Sequence, residues 1–98
     1  METTEFLYQI IPVKAQFMEN QTDNEQKIML SHFKYLQNLL EEGKLVLAGP
    51  CLDASFGIVI LHNTIKEEAL KIMENDPAIK GEIMTGNLYP FRVSLIKD

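Results

Sequence analysis

The chain has 98 residues, a formal net charge of −5 and a pI near 4.9. This length predicts one domain, residues 1–98, in which 46% hydrophobic residues supply the core. The acidic balance argues against nucleic acid or an anionic membrane surface as a partner, because both bind cationic faces.

Several features favour a soluble, cytoplasmic protein. Cys51 is the only cysteine, which excludes an intramolecular disulfide and fits a reducing compartment. The first five residues are acidic and lack the positive start of a signal peptide. Apolar runs such as Ile58–Leu61 are far too short to span a membrane.

The first elements in chain order are a strand and a helix. Phe6–Ile11 is rich in β-branched and aromatic residues, which favour a strand. After a polar loop, Asp23 with Gln26 matches a helix N-cap and its reciprocal partner. The helix should run from about Glu25 to Glu42, with Gly43 as its left-handed C-terminal cap. One apolar face recurs at helical spacing; its residues are Met29, Phe33, Leu36 and Leu40.

A hairpin and a second helix follow. The segments 44–48 and 56–61 read as strands with a short connection, which favours antiparallel pairing. Thr64 with Glu67 matches a capping box. The helix that it opens should end at Asn75–Pro77, because a proline restricts the residue before it. The predicted buried face of this helix consists of Ile65, Ala69, Ile72 and Met73.

A last strand region covers about residues 82–96, with an interruption near residues 87–90. The order is then βαββαβ. It predicts an α+β, ferredoxin-like fold: a four-stranded antiparallel sheet with both helices on one face. The strands are apolar on both sides, so the face without helices should be an interface. A second copy packed sheet to sheet is the simplest partner, which predicts a homodimer.

His32 and Asp76 are the residues that best fit proton chemistry. His32 lies at the edge of the apolar face of the first helix, and histidine can act as a general acid or base near neutral pH. The alternative is a buried histidine that only donates a hydrogen bond. Asp76 alone is typical helix punctuation before Pro77. The end of the second helix can lie beside the first, where this carboxylate would orient the imidazole.

Other residues could line a pocket near this pair. Tyr35 lies three residues after His32 and could donate its hydroxyl to a substrate, or it could simply mark the helix–sheet margin. Gly49 and Pro50 could shape a pocket wall, although this dipeptide also ends strands. Cys51 follows them and fits a small core or rim residue better than a reactive thiol.

The sequence predicts neither a metal nor a cofactor. His32, His62, Cys51 and Asp76 match no metal-ligand spacing. The five glycines are dispersed and form no GxGxxG or Walker pattern.

Several short motifs, in this order, resemble the YCII-related (YciI-like) family. They span about residues 5–96 and are His32–Leu36, Gly43–Leu45, Ala48–Pro50, Gly57–Ile60, Glu68-Ala69, Asp76–Ala78 and Tyr89–Val93. The resemblance implies a ferredoxin-like fold in a dimeric α+β barrel. It also implies that His32 and Asp76 form the active-site pair. Some members resemble lyases or dehydrochlorinases that act on small ring-derived acids.

The sequence departs from the family pattern in one respect. Basic residues often precede the histidine in this family, whereas Ile28–Ser31 do so here. Lys27, Lys34 and Arg92 are then the remaining partners for a substrate carboxylate.

The leading hypothesis is a small dimeric enzyme with one pocket per subunit, between the helices and the sheet. His32 would move a proton on a small organic acid, in an elimination or isomerisation without a cofactor. Asp76 would orient His32, while Tyr35, Gly49 and Pro50 would bind the substrate. One alternative is a non-catalytic metabolite-binding or regulatory module. Another is a structural dimer in which the pair only fills the core.

Overall fold

A computed structural model describes residues 3–98, and it places β1 at the centre of a four-stranded antiparallel sheet. The strand order is β2-β3-β1-β4, so the predicted ferredoxin-like arrangement is confirmed. The elements in chain order are β1 Phe6–Pro12, α1 Asp23–Glu41, β2 Leu45–Pro50, β3 Gly57–Leu61, α2 Lys66–Glu74, α3 Pro77–Lys80 and β4 Met84–Pro90.

The core lies between one face of the sheet and all three helices. Phe6, Tyr8 and Ile10 alternate along β1 on this face and are buried, whereas Leu7 and Gln9 lie on the other face and are partly exposed. The helices contribute one or more buried residues each to the same cluster: Leu39 from α1, Ala69 and Met73 from α2, and Ala78 from α3. All three helices within residues 3–98 pack on the core face, so the opposite face carries none of them, as the sequence predicted.

Helix α1 begins at Asp23, two residues earlier than predicted, and its N-cap is Thr22 in place of Asp23. The Thr22 hydroxyl accepts the Glu25 N–H at 3.1 Å, and the Glu25 carboxylate accepts the Thr22 N–H at 2.8 Å. This capping box replaces the predicted Asp23–Gln26 pair. Lys14 favours Glu25 over Gln26 as the partner of the cap, because its ammonium group binds the Glu25 carboxylate at 2.8 Å and holds it at the helix start. Gly43 has φ of +78°, which confirms the predicted left-handed cap.

The buried face of α1 is shifted by one residue from the prediction. His32 and Leu39 are buried, whereas Phe33 and Leu40 are 61% and 57% exposed. The prediction of Phe33 and Leu40 as core residues is therefore wrong for the single chain. The reason is that α1 packs against both β2 and α3. These two neighbours cover the side of the helix that carries His32 and Leu39.

Helix α2 has no side-chain cap, which corrects the predicted Thr64–Glu67 box. Ile65 is the N-cap residue and is 56% exposed, so it does not belong to the buried face either. The Thr64 hydroxyl instead donates to the Glu68 carboxylate. The helix ends at Glu74, as the Asn75–Pro77 signal predicted.

The segment after α2 differs most from the prediction. Helix α3, only four residues long, was not predicted. Strand β4 is continuous through Asn87 and Tyr89, which pair with Gln9 and Leu7, so the predicted interruption is wrong. Residues 91–98 form no assigned strand. No helix within residues 3–98 is both long and apolar enough to cross a membrane.

Candidate active site

His32 and Asp76 meet in the core between α1 and the α2–α3 corner. The His32 Nδ1 atom lies 2.6 Å from the Asp76 Oδ1 atom, although the residues are 44 positions apart in the chain. The side chain of His32 is 9% exposed and that of Asp76 is fully buried. The pair predicted from the sequence is therefore present, as a short, buried hydrogen bond.

The sequence around Asp76 explains why its carboxylate points back to α1. Pro77 disfavours helical geometry at the residue before it, and Asp76 has φ of −60° and ψ of 125°. This extended residue caps α3, because its Oδ1 atom accepts the Ala78 N–H at 3.0 Å. The same oxygen binds His32. Helix punctuation and the orientation of the imidazole are thus two roles of one side chain and not alternatives.

Tyr8 is a third member of this network that sequence reasoning missed. Its hydroxyl donates to Asp76 Oδ2 at 2.8 Å, and the residue is fully buried in β1. A signal was available: strand alternation places Tyr8 on the core face with Phe6 and Ile10. A buried tyrosine hydroxyl needs a polar partner. The pattern did not identify which polar group that partner is.

The hydrogen bonds define which nitrogen of His32 carries the proton. A carboxylate only accepts hydrogen bonds, so His32 Nδ1 must be the donor to Asp76. The ring then has Nε2 free to accept a proton. Nε2 has no hydrogen-bond partner within residues 3–98. No side-chain nitrogen or oxygen in that range is both fully buried and without a partner, so Nε2 reaches solvent.

Tyr35 lies beside the pair, but its hydroxyl already has a partner. It donates to the Ile72 carbonyl at 2.7 Å and so connects α1 with α2. Burial, and to a lesser degree the negative charges of Asp76 and Glu42, raise the pKa of Tyr35 to about 12. The hydroxyl therefore stays protonated at neutral pH. It can donate to a substrate only if the bond to Ile72 opens.

Gly49 and Pro50 lie on the edge strand β2, where both are exposed. Gly49 is paired with Ile58, and a β-carbon added to it would meet nothing within 4 Å. The conformation and packing of the described chain therefore leave room for a side chain at Gly49. The role of both residues in substrate binding stays a prediction.

The described cavities lie away from His32. One cavity of about 350 Å³ is lined by residues 12–19 and 53–55, at the end of β1. A second, of about 330 Å³, is lined by Thr3 and residues 90–92, including Arg92. Lys27 and Lys34 are exposed on α1. Within residues 3–98, no group of three or more His, Cys, Asp or Glu side chains is arranged to hold a metal ion.

The fold and the sequence together identify the family. The family model of the YCII-related domain matches residues 10–92, so the chain belongs to the YCII-related family. The resemblance drawn from the sequence motifs is confirmed.

One solved structure with a similar fold is an enzyme. It is the 5-chloro-2-hydroxyhydroquinone dehydrochlorinase of Burkholderia phenoliruptrix, in complex with 2,5-dihydroxybenzoquinone. The two chains superpose with a TM-score of 0.66 at 16% identity, over 89% of this chain and 93% of the other. At that identity the likeness shows the fold. The curated proteins contain no match to this chain.

Proposed function

We propose that this protein is a small-molecule enzyme in which His32 transfers a proton on a small organic acid. The observation that carries the proposal is the buried Asp76–His32 hydrogen bond of 2.6 Å. It fixes the proton on Nδ1 and leaves Nε2 as the basic atom. The dehydrochlorinase of similar fold removes HCl from its substrate, which supports an elimination as one form of this chemistry.

The proposed step begins with His32 Nε2 taking a proton from a carbon next to a carbonyl or carboxyl group. The electron pair of the C–H bond then forms a double bond. In an elimination the bond from the neighbouring carbon to the leaving group breaks, the leaving group departs with that electron pair, and Nε2 gives its proton to the leaving group or to water. In an isomerisation Nε2 returns the proton to another carbon. Asp76 stabilises the imidazolium that forms between the two steps, because its carboxylate binds Nδ1–H throughout.

The pair alone does not define the substrate site. We assign the substrate contacts to Tyr35, Gly49 and Pro50. Tyr35 lies on the same helix as His32, whereas Gly49 and Pro50 lie on β2. A substrate carboxylate would find its cation among exposed residues such as Lys34 or Arg92. No cofactor takes part in the proposed step, and the proposed location is the cytoplasm.

The proposal includes a homodimer formed through the helix-free face of the sheet. The strand registers place on this face Leu7, Gln9, Ile11, Leu47, Gly49, Ile58, Ile60, Thr85, Asn87 and Tyr89. None of these residues is charged, whereas the chain as a whole carries −5. Two copies can therefore meet here without like-charge repulsion, which makes a second copy the best-matched occupant.

The experiment that tests the enzyme proposal follows carbon-bound protons in D₂O. Small hydroxy- and keto-acids are incubated with the protein, and proton NMR detects loss of a C–H signal even when no net product forms. We expect exchange or turnover with at least one of these acids. Because general acid–base groups contribute about 10²–10⁴-fold to rate, His32→Ala should lower it by that order.

His62→Ala is the matched control, since His62 is the only other histidine, follows β3 directly, and donates its backbone N–H to the Lys44 carbonyl. Its rate should stay within about twofold of the wild type, as expected for a surface change. Equal rates in wild type and His32→Ala would contradict the proposal. Saturable binding of an acid without any exchange would instead favour the metabolite-binding module. The cavity of about 350 Å³ is consistent with that alternative, because His32 is not among its lining residues.

A further inference from the structure

We propose that Tyr8 is the positioning residue that holds the Asp76 carboxylate in the orientation in which it binds His32 Nδ1–H. This inference rests on the proposed function only for its catalytic consequence. The hydrogen-bond arrangement itself is independent of any substrate.

Three elements of the fold converge on the Asp76 carboxylate. Asp76 accepts three hydrogen bonds from three elements: from His32 on α1, from the Ala78 N–H in α3, and from the Tyr8 hydroxyl on β1. His32 and Ala78 share Oδ1, so they leave the carboxylate free to pivot about that oxygen. Tyr8 is the donor to Oδ2 at 2.8 Å, and it fixes the plane of the group.

Tyr8 itself is held rigidly in the sheet. It lies on the central strand, paired with Val59 on one side and Leu88 on the other. Its exposure is 0%, and its ring packs in the core cluster. A buried aromatic side chain has few rotatable bonds and a fixed place, so its hydroxyl is a stationary donor.

The Tyr8 hydroxyl also stays protonated. Burial, and next the negative charge of Asp76, raise the pKa of the Tyr8 hydroxyl well above its ordinary value. Tyr8 therefore keeps its proton and always donates to Asp76. Asp76 in turn remains the acceptor for His32, and Nε2 is the one position of the network where a proton can enter or leave.

The test compares Tyr8→Phe with Tyr35→Phe. Each variant removes one tyrosine hydroxyl near the pair, but the Tyr35 hydroxyl binds Ile72 and not Asp76. Nitrogen-15 NMR of labelled histidine, taken above the titration range of His32, reports which ring nitrogen carries the proton. The solvent exchange rate of the Nδ1 proton is measured on the same samples.

We expect wild type and Tyr35→Phe to show only the Nδ1–H form. Tyr8→Phe should show both ring forms and exchange its Nδ1 proton about tenfold faster, the factor that corresponds to losing one hydrogen bond to a charged group. A purely structural role would lower the unfolding midpoint and leave the ring form unchanged. Identical spectra of His32 in Tyr8→Phe and Tyr35→Phe would overturn the inference.

A measurement on the wild type covers the case in which Tyr8→Phe does not fold. The Tyr8 hydroxyl proton should give a slowly exchanging resonance with a nuclear Overhauser effect to the Nδ1 proton of His32. Failure to find that contact would also overturn the inference. Both NMR measurements are made without substrate, so their outcome does not depend on the deuterium-exchange screen. The positioning role of Tyr8 and the proposed enzyme function can therefore fail independently of each other.

Discussion

At the scale of single residues, the buried network has a consequence for stability at high pH. Burial is the main cause of the raised pKa values of Tyr8 and Tyr35, so the folded chain keeps both hydroxyl protons above pH 10. The unfolded chain releases them near pH 10. The folded state thus binds more protons than the unfolded state in this range, and the free energy of unfolding must fall as the pH rises.

We therefore expect the contribution of these two tyrosines to the free energy of unfolding to be constant below about pH 9 and to decline above about pH 10. Tyr8 alone should contribute a slope of about 1.4 kcal/mol per pH unit, while the half-exposed Tyr35 contributes less and levels off near pH 12. Urea unfolding at several pH values measures the slope. Tyr8→Phe should have a shallower decline than the wild type; parallel curves for the two proteins would contradict this account.

The same scale shows what could be predicted about the site. His32 and Asp76 were found because each stands out in its local pattern, and the βαββαβ order brings the two helices together. Tyr8 was not found, because strand alternation gives the face of a residue and not its partner 68 positions away. For Tyr35 the sequence left open a donor to substrate or a residue at the helix–sheet margin, and its bond to Ile72 depends on how closely α1 and α2 approach.

At the scale of elements, the predictions of helix position were wrong where the sequence pattern was short or fitted two different positions. Two overlapping pairs, Thr22–Glu25 and Asp23–Gln26, fit a capping box, and a contact with Lys14 from outside the helix decided between them. The apolar side chains of α1 occupy a wider part of the helix surface than the rest of the chain buries. Periodicity alone therefore could not predict which residues of that part lie at the centre of the buried face. Helix α3 is too short to have a periodicity of its own.

Short as it is, α3 holds Asp76 in place, and Gly81 ends it. A β-carbon at Gly81 would lie 2.8 Å from the Pro77 carbonyl oxygen, a backbone atom that cannot move alone. Gly81→Ala should therefore destabilise the chain by about 1–3 kcal/mol and should disturb the His32–Asp76 bond. Urea unfolding and the His32 ring signals measure the two effects.

Gly49→Ala is the matched control for the close approach at Gly81, because within the single chain a β-carbon at Gly49 meets nothing within 4 Å and the backbone is unstrained. Its stability should stay within about 0.5 kcal/mol of the wild type. The same variant tests the predicted role of Gly49 in substrate binding, since a loss of activity without a loss of stability would support that role. Equal destabilisation by Gly81→Ala and Gly49→Ala would show that the approach at Gly81 is not tight.

At the scale of the whole molecule, the sheet order was predictable because it follows from element order and hydrophobic pattern alone. The two-sided apolar character of the strands also pointed to the face that has no helix. Leu47 on this face is 43% exposed and lies opposite Ile60, in a row that continues to Leu7 and Tyr89. In a single chain the two ends of this row, Leu47 and Tyr89, are 43% and 49% exposed, whereas a second copy would cover them.

We expect sedimentation to give a mass of about twice 11.2 kDa at micromolar concentration. Leu47→Lys should shift the protein to the single-chain mass, because burying an unpaired ammonium group in an apolar interface costs several kcal/mol. Leu30→Lys is the same substitution on α1, at a residue that is 72% exposed and lies on the helix side of the molecule, and it should leave the mass unchanged. A wild-type monomer would remove the dimer from the proposal. Dissociation by Leu30→Lys and not by Leu47→Lys would move the interface from the sheet to the exposed side of α1, where Phe33 and Leu40 also lie.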